Sequence, residues 1–262
     1  MDMKKILAVA TAIVGTTVMA DSLVSSSVVG YNNTTPKNSY GYSFVTPTFV
    51  DLGAQTATYN LQNLKLIGEY VGDGASDYIE IWDDSGSMTD TAYYYVTKAN
   101  GYEKDGWVTE MLGDTYVENI DLPLGSGFYL VIGSGSDVQV QSAGQVLAGN
   151  LTTSPLVMGY NTCGNSLPVQ LDLQQIKLLG EYVGDGASDY IEVWDDSGSM
   201  TDTAYYYVTK ANGYEKDGWV TEMLGDTYAT GVVYDPGEGF FLIVGSGEDV
   251  QMQLPAVLTT ED

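Results

Sequence analysis

The chain contains no histidine and no arginine, and in 262 residues it has a single cysteine, Cys163. Without histidine it lacks the side chain most often used as a general base near neutral pH and the commonest zinc ligand. Without arginine it lacks the planar fork that grips phosphate or carboxylate substrates with two hydrogen bonds. Most enzyme classes are thereby disfavoured, and a non-enzymatic protein is expected. One cysteine cannot close a disulfide within the chain, so each folding unit must stand on its own core or on bound metal, while Cys163 is either a buried thiol or a link between two chains. Long apolar runs are also missing after the first 20 residues, so no segment of the remaining chain reads as a membrane-spanning helix.

What is present begins with Lys4-Lys5, the apolar run Ile6 to Val18 and the small-residue site ending at Ala20. That order is the pattern of a secretory signal peptide over residues 1–20, cleaved before Asp21. No cysteine stands at the cleavage point to take a lipid. A secreted or cell-surface location, in a bacterium, follows as the expectation. The charge is lopsided: 35 Asp and Glu oppose 9 basic residues, for a net charge of −26. Such a surface repels nucleic acid and anionic lipid, attracts divalent cations and favours solubility by self-repulsion.

The strongest feature is an internal repeat. Lys65 to Tyr116 recurs as Lys177 to Tyr228 at a shift of 112, with only Ile67 replaced by Leu179 and Ile81 by Val193. The register continues through Gly127-Phe128-Tyr129-Leu130-Val131 and Gly239-Phe240-Phe241-Leu242-Ile243. Upstream it loosens: Val28-Val29-Gly30-Tyr31-Asn32 echoes Val157-Met158-Gly159-Tyr160-Asn161, and the first copy carries a stretch, Tyr40 to Gln55, that the second lacks. Two domains are expected, residues 21–150 and 151–262, each long enough to bury one core.

Within a copy, short runs of β-branched and aromatic residues alternate with Gly, Asp, Asn and Ser clusters, the pattern of strands and tight turns. Tyr78-Ile79-Glu80-Ile81-Trp82 places Tyr78, Glu80 and Trp82 on one face; Asp84-Ser85-Gly86 turns, and Thr91 to Thr97 returns as the partner of a hairpin. Trp107 to Met111, Phe128 to Ile132 and Val138 to Gln141 read as further strands. No run after the signal shows apolar residues at helical spacing. The expected class is all-β, with two tandem antiparallel sandwiches or open barrels.

Three groups of residues are candidates for function. Asp83-Asp84-Ser85-Gly86-Ser87-Met88, repeated at Asp195 to Met200, resembles the Asp-x-Ser-Gly-Ser metal signature of von Willebrand factor A domains. That family's fold is a parallel sheet wrapped by helices, for which this chain has neither helices nor room, so a polar hairpin turn explains the motif better. Carboxylates at glycine-bearing turns, Asp73, Asp77, Asp83 and Asp84 with Asp185, Asp189, Asp195 and Asp196, suit calcium, although not at EF-hand spacing. The tyrosine triplets Tyr93, Tyr94, Tyr95 and Tyr205, Tyr206, Tyr207, joined by Tyr102, Trp107, Tyr214 and Trp219, offer platforms for sugars or protein partners where they face outward and core filling where they face inward. Acid pairs such as Glu80 with Asp83 have the chemistry of glycosidase carboxylates, but nothing in their spacing singles out a pair.

The signal-like start, the Val-Val-Gly-Tyr-Asn segment, Phe44 to Phe49, Lys104 to Trp107 and the Gly-Phe strand together resemble secreted β-repeat proteins of bacteria. The resemblance implies export and β structure and carries no active-site residues. The expected role is structural or at the cell surface, with duplicated domains for self-association or multivalent binding. The partner is the chain itself, as an oligomer or filament, or an extracellular glycan or protein; the alternative is a pair of carbohydrate-binding modules using the tyrosines.

Overall fold

The computed structural model describes residues 25–36, 41–52, 57–72, 77–82, 88–95, 105–110, 115–118, 120–135, 137–184, 189–194, 199–207, 217–223, 227–247 and 249–258. The signal-like segment, Tyr102, Tyr214 and the Asp-Ser-Gly turns lie outside these residues. The described chain is nearly all β. The strands of its first half are β1 (Ser25–Thr34), β2 (Gly41–Val45), β3 (Thr58–Asn60), β4 (Lys65–Ile67), β5 (Tyr78–Trp82), β6 (Met88–Tyr95), β7 (Gly106–Val108), β8 (Asp121–Pro123), β9 (Phe128–Ile132) and β10 (Gln139–Leu147). Those of the second are β11 (Leu151–Thr152), β12 (Gly159–Gly164), β13 (Leu171–Asp172), β14 (Lys177–Leu179), β15 (Tyr190–Trp194), β16 (Met200–Tyr207), β17 (Gly218–Val220), β18 (Val233–Tyr234), β19 (Gly239–Val244) and β20 (Gln251–Leu254). The helical content of the described residues is two single 3-10 turns, Leu61–Asn63 and Leu173–Gln175. No helix among them is long and apolar enough to cross a membrane.

Each half repeats one topology. A five-stranded sheet runs β2-β9-β5-β6-β7 in the first and β12-β19-β15-β16-β17 in the second; a three-stranded sheet runs β1-β10-β4 and β11-β20-β14, and a two-stranded one β3-β8 and β13-β18. The alternation of side chains dictates which face turns inward. In β9, Phe128, Leu130 and Ile132 are buried while Tyr129 and Val131 are half-buried on the other face. The expected hairpin is present as β5 and β6, with Tyr78 opposite Tyr93 and Glu80 opposite Thr91.

Both cores centre on a tryptophan of the shortest strand of the five-stranded sheet, β7 or β17. Trp107 and Trp219 are fully buried, and each indole N–H donates to a backbone carbonyl, of Leu64 at 2.8 Å and of Ile176 at 2.9 Å. A glutamine in each 3-10 turn holds that strand in place. The Gln62 amide donates to the carbonyls of Trp107 and Val117 and its oxygen accepts from the Trp107 N–H; Gln174 does the same for Trp219 and Ala229. The tryptophan carbonyl also accepts a backbone N–H, of Val117 or Ala229, so two further buried backbone groups, the tryptophan N–H and the Val117 or Ala229 carbonyl, are satisfied by this one side chain.

Upstream of the repeat the equivalences in space differ from those of the sequence echo. Tyr160 lies in β12, whose counterpart at the edge of the first five-stranded sheet is β2: Phe44 opposes Tyr129 as Thr162 opposes Phe241. Tyr31, its sequence echo, lies in β1 of the three-stranded sheet, opposite Ala143. The stretch from Tyr40 that looked like an insertion therefore supplies the edge strand, and the echo segment is displaced to the other sheet.

The halves meet through reciprocal contacts. Val45 at the end of β2 bridges to Glu238 before β19, and Cys163 near the end of β12 bridges to Ser126 before β9. The Thr46 N–H donates to the Gly237 carbonyl at 3.0 Å, and the Gly164 N–H donates to the Gly125 carbonyl at the same distance. Each contact occurs twice with the roles of the halves exchanged, which is the arithmetic of a twofold axis. Thr46 and Ser166 hydroxyls meet at 2.9 Å beside that axis. The cores also trade side chains, since Val50 and Leu124 pack into the second core and Val257 and Leu258 against the first.

Candidate functional site

The outer faces of the two five-stranded sheets carry aromatic rings around a carboxylate. In the first half, strand alternation puts Tyr42 and Phe44 of β2, Tyr129 of β9 and Tyr78 and Glu80 of β5 on the same side. Tyr42 is exposed, and its hydroxyl reaches Glu80 Oε1 at 3.5 Å. In the second half Tyr160, Phe241, Tyr190 and Glu192 occupy the matching places, Thr162 stands where Phe44 does, and Trp194 continues the same face along β15. There the Tyr160 hydroxyl donates to Glu192 Oε1 at 3.2 Å and the Trp194 indole N–H to Oε2 at 3.2 Å.

The rings form one band across the junction. Tyr42 and Tyr129 stand edge to face with centroids 6.4 Å apart, and Tyr160 and Phe241 repeat that pose at 5.9 Å. Phe44 packs between the halves, 4.7 Å from Tyr129 and 4.3 Å from Phe241. Tyr129 and Phe241 face each other across the axis at 6.3 Å.

The carboxylates shape the chemistry of the phenols. Glu192, by its charge, holds the Tyr160 phenol above its ordinary range, because a phenolate beside a carboxylate is disfavoured. Burial raises the Tyr129 phenol, with Glu80 adding to it. Tyr78 is pushed up to about 12, first by burial and then by its hydrogen bond with Tyr42. All three phenols stay protonated and able to donate at neutral pH. The band thus offers apolar ring faces, hydroxyl donors and carboxylate acceptors, a set suited to binding.

Of the tyrosine triplets, Tyr94 and Tyr206 are 2% exposed and turn into the cores, edge to face with Trp107 and Trp219, and Tyr207 is 1% exposed. Tyr93 and Tyr205 are half-buried on the outer faces, 5.5 Å from Tyr78 and 5.7 Å from Tyr190. The side chain of Tyr95 is outside the described residues.

Among the acids proposed for calcium, Asp73, Asp83, Asp84, Asp185, Asp195 and Asp196 lie outside the described residues. Asp77 and Asp189 are fully buried. Oδ1 of Asp77 accepts from the N–H groups of Gly133 and Ser134 and from the Ser134 hydroxyl, and Oδ1 of Asp189 from the N–H groups of Gly245 and Ser246. Their Oδ2 atoms have no hydrogen-bond partner. No group of three potential metal ligands occurs among the described residues. What these aspartates do there is tie the start of β5 and β15 to the turn after β9 and β19. Cys163 is a fully buried free thiol, raised to about 12 by burial, beneath the junction.

Tyr42, Phe44, Tyr129, Tyr160, Trp194 and Phe241 were not singled out from the sequence. The alternation Tyr78, Glu80, Trp82 was the available signal; the strand that completes the face became visible only once β2 and β12 were placed beside β9 and β19. No family model matches the chain, and neither does any curated protein or solved structure compared with it.

Proposed function

We propose that the chain is an exported, non-enzymatic protein of two tandem β-sandwich domains that binds glycan chains through its two carboxylate-bearing aromatic faces. The observation that carries this reading is the duplicated pair Tyr42–Glu80 and Tyr160–Glu192, set among half-exposed rings on open sheet faces. Ring faces stack on the C–H faces of sugars, while a carboxylate and phenol hydroxyls take the directional hydrogen bonds of sugar hydroxyls. A glycan-array screen of residues 21–262 tests it. Binding that is lost in Trp194→Ala with Tyr42→Ala supports the reading, and binding untouched by that pair sinks it.

A second reading, assembly into filaments or sheets, is favoured by β1. This ten-residue strand lies at the edge of its sheet, carries no charged residue and exposes Val29 and Tyr31. A long uncharged edge lacks the features that block strand-to-strand pairing. Light scattering of residues 21–262 with calcium and with chelator tests assembly and its metal dependence together. A single monomeric species in both conditions removes this reading.

A further inference from the structure

The two aromatic faces are opposed by the twofold relation of the halves, and this has a consequence for any ligand with a direction. We propose that the protein cross-links two separate glycan chains, held in opposite directions, rather than clamping one chain along both faces. The inference rests on the glycan-binding reading above and deepens it.

The relation is seen in the exchanged pairs at the junction: Val45 with Glu238 and Cys163 with Ser126, the Thr46 N–H on Gly237 and the Gly164 N–H on Gly125. The faces follow the same operation. Tyr42, Tyr129 and Glu80 on one side become Tyr160, Phe241 and Glu192 on the other, with Tyr129 and Phe241 meeting across the axis. A glycan chain has a reducing and a non-reducing end, so its hydroxyls meet a carboxylate in a directional order. Half a turn reverses that order. A strand that satisfies Glu80 and the Tyr42 hydroxyl in one direction and runs on across the axis reaches Glu192 and Tyr160 backwards, with its hydrogen bonds out of register. Filling both faces well therefore takes two chains.

The spacing allows it. From Glu80 the path across the surface passes Tyr129 and Phe44, crosses to Phe241 and ends at Glu192, each step joining residues directly opposite on paired strands except the Phe44–Phe241 contact. At about 4.8 Å per strand the two carboxylates stand roughly 15–20 Å apart, enough for two chains side by side. The fit also selects chemistry: with a net charge of −26 and a carboxylate in each face, uronate and sulfate groups are repelled, so the chains are neutral or carry amines.

The test is calorimetric titration of residues 21–262 with cello-oligosaccharides and N-acetylglucosamine oligomers from disaccharide to octasaccharide. The expected result is two ligands per protein, with affinity levelling off once one face is filled. Glu80→Gln and Glu192→Gln should each reduce the number bound to one, in variants whose circular dichroism matches the parent. One ligand per protein, with affinity climbing about 10²–10⁴-fold once the oligomer is long enough to reach both carboxylates, is the avidity of a single bridging chain and overturns the inference while leaving glycan binding in place. Failure of every oligomer to bind overturns both.

Discussion

Residues 65–116 and 177–228 are almost the same sequence and build the same strands, yet the segments that complete each sheet differ in length and chemistry. The first half pairs β10 with the ten-residue β1, whereas the second pairs β20 with the two-residue β11. At the junction the first half supplies Phe44 where the second has Thr162. One phenylalanine on one side suffices, because near a twofold axis a single large ring fills the space that two would contest. The repeat is thus a fixed central block with adjustable edges, and the edges decide how the halves join.

Several measurements can break or sharpen this comparison. Trp107→Ala and Trp219→Ala should be the most damaging, each costing about 3–5 kcal/mol in urea unfolding, since each empties the middle of a core. Costs that match would show that the two cores respond alike; unequal costs would mean that the differing edges reach the tryptophans. Gln62→Ala and Gln174→Ala should follow at about 2–3 kcal/mol, because each takes the side-chain partner from one carbonyl, of Val117 or Ala229, and from one N–H, of Trp107 or Trp219, beneath its strand. Phe44→Thr, which gives the first half the residue of the second, should cost about 1–2 kcal/mol through the lost ring contacts. The reverse change, Thr162→Phe, should not recover it in the double variant unless the axis has room for the ring on either side.

The smallest effect separates the two faces by their physics. In Glu192→Gln the Tyr160 phenol should titrate lower than in the parent, since the carboxylate charge is the leading cause of its raised value. In Glu80→Gln the Tyr129 phenol should move less, because burial leads there. Ultraviolet titration of the tyrosines reads both. Equal shifts would contradict the assignment of one to charge and the other to burial.

Much of the fold was legible in the sequence. Alternation gave β5, β9 and the hairpin partner β6; of Trp82 and Trp107, both of a size to fill a small core, Trp107 and its repeat Trp219 are buried, whereas Trp194, the repeat of Trp82, is half-buried on the outer face. The calcium and tyrosine candidates fared unevenly for a physical reason: a triplet of tyrosines on a strand must send its middle ring to the opposite face from its neighbours, and sequence alone does not say which face is covered. Asp77 reads as a loop carboxylate, yet its bonds run to Gly133 and Ser134, far along the chain. The aromatic band was hidden because its rings come from strands that only the sheet order brings together. The glutamines of the 3-10 turns carried no signal either, as a polar residue in the runs Leu61-Gln62-Asn63-Leu64 and Leu173-Gln174-Gln175-Ile176 looks like any surface position.

The pairing of β1 with β10 also sets an order in time. Asn33 lies opposite Gln141, so the first of the described strands waits for more than a hundred residues before its neighbour exists. Until then an uncharged segment with Val29 and Tyr31 has no native place to go, and closing so long a loop is slow. Before β10 arrives both sides of that strand are open; afterwards β10 holds one of them. Neither core is complete without the other half, since Val50 and Leu124 pack into the second and Val257 and Leu258 against the first.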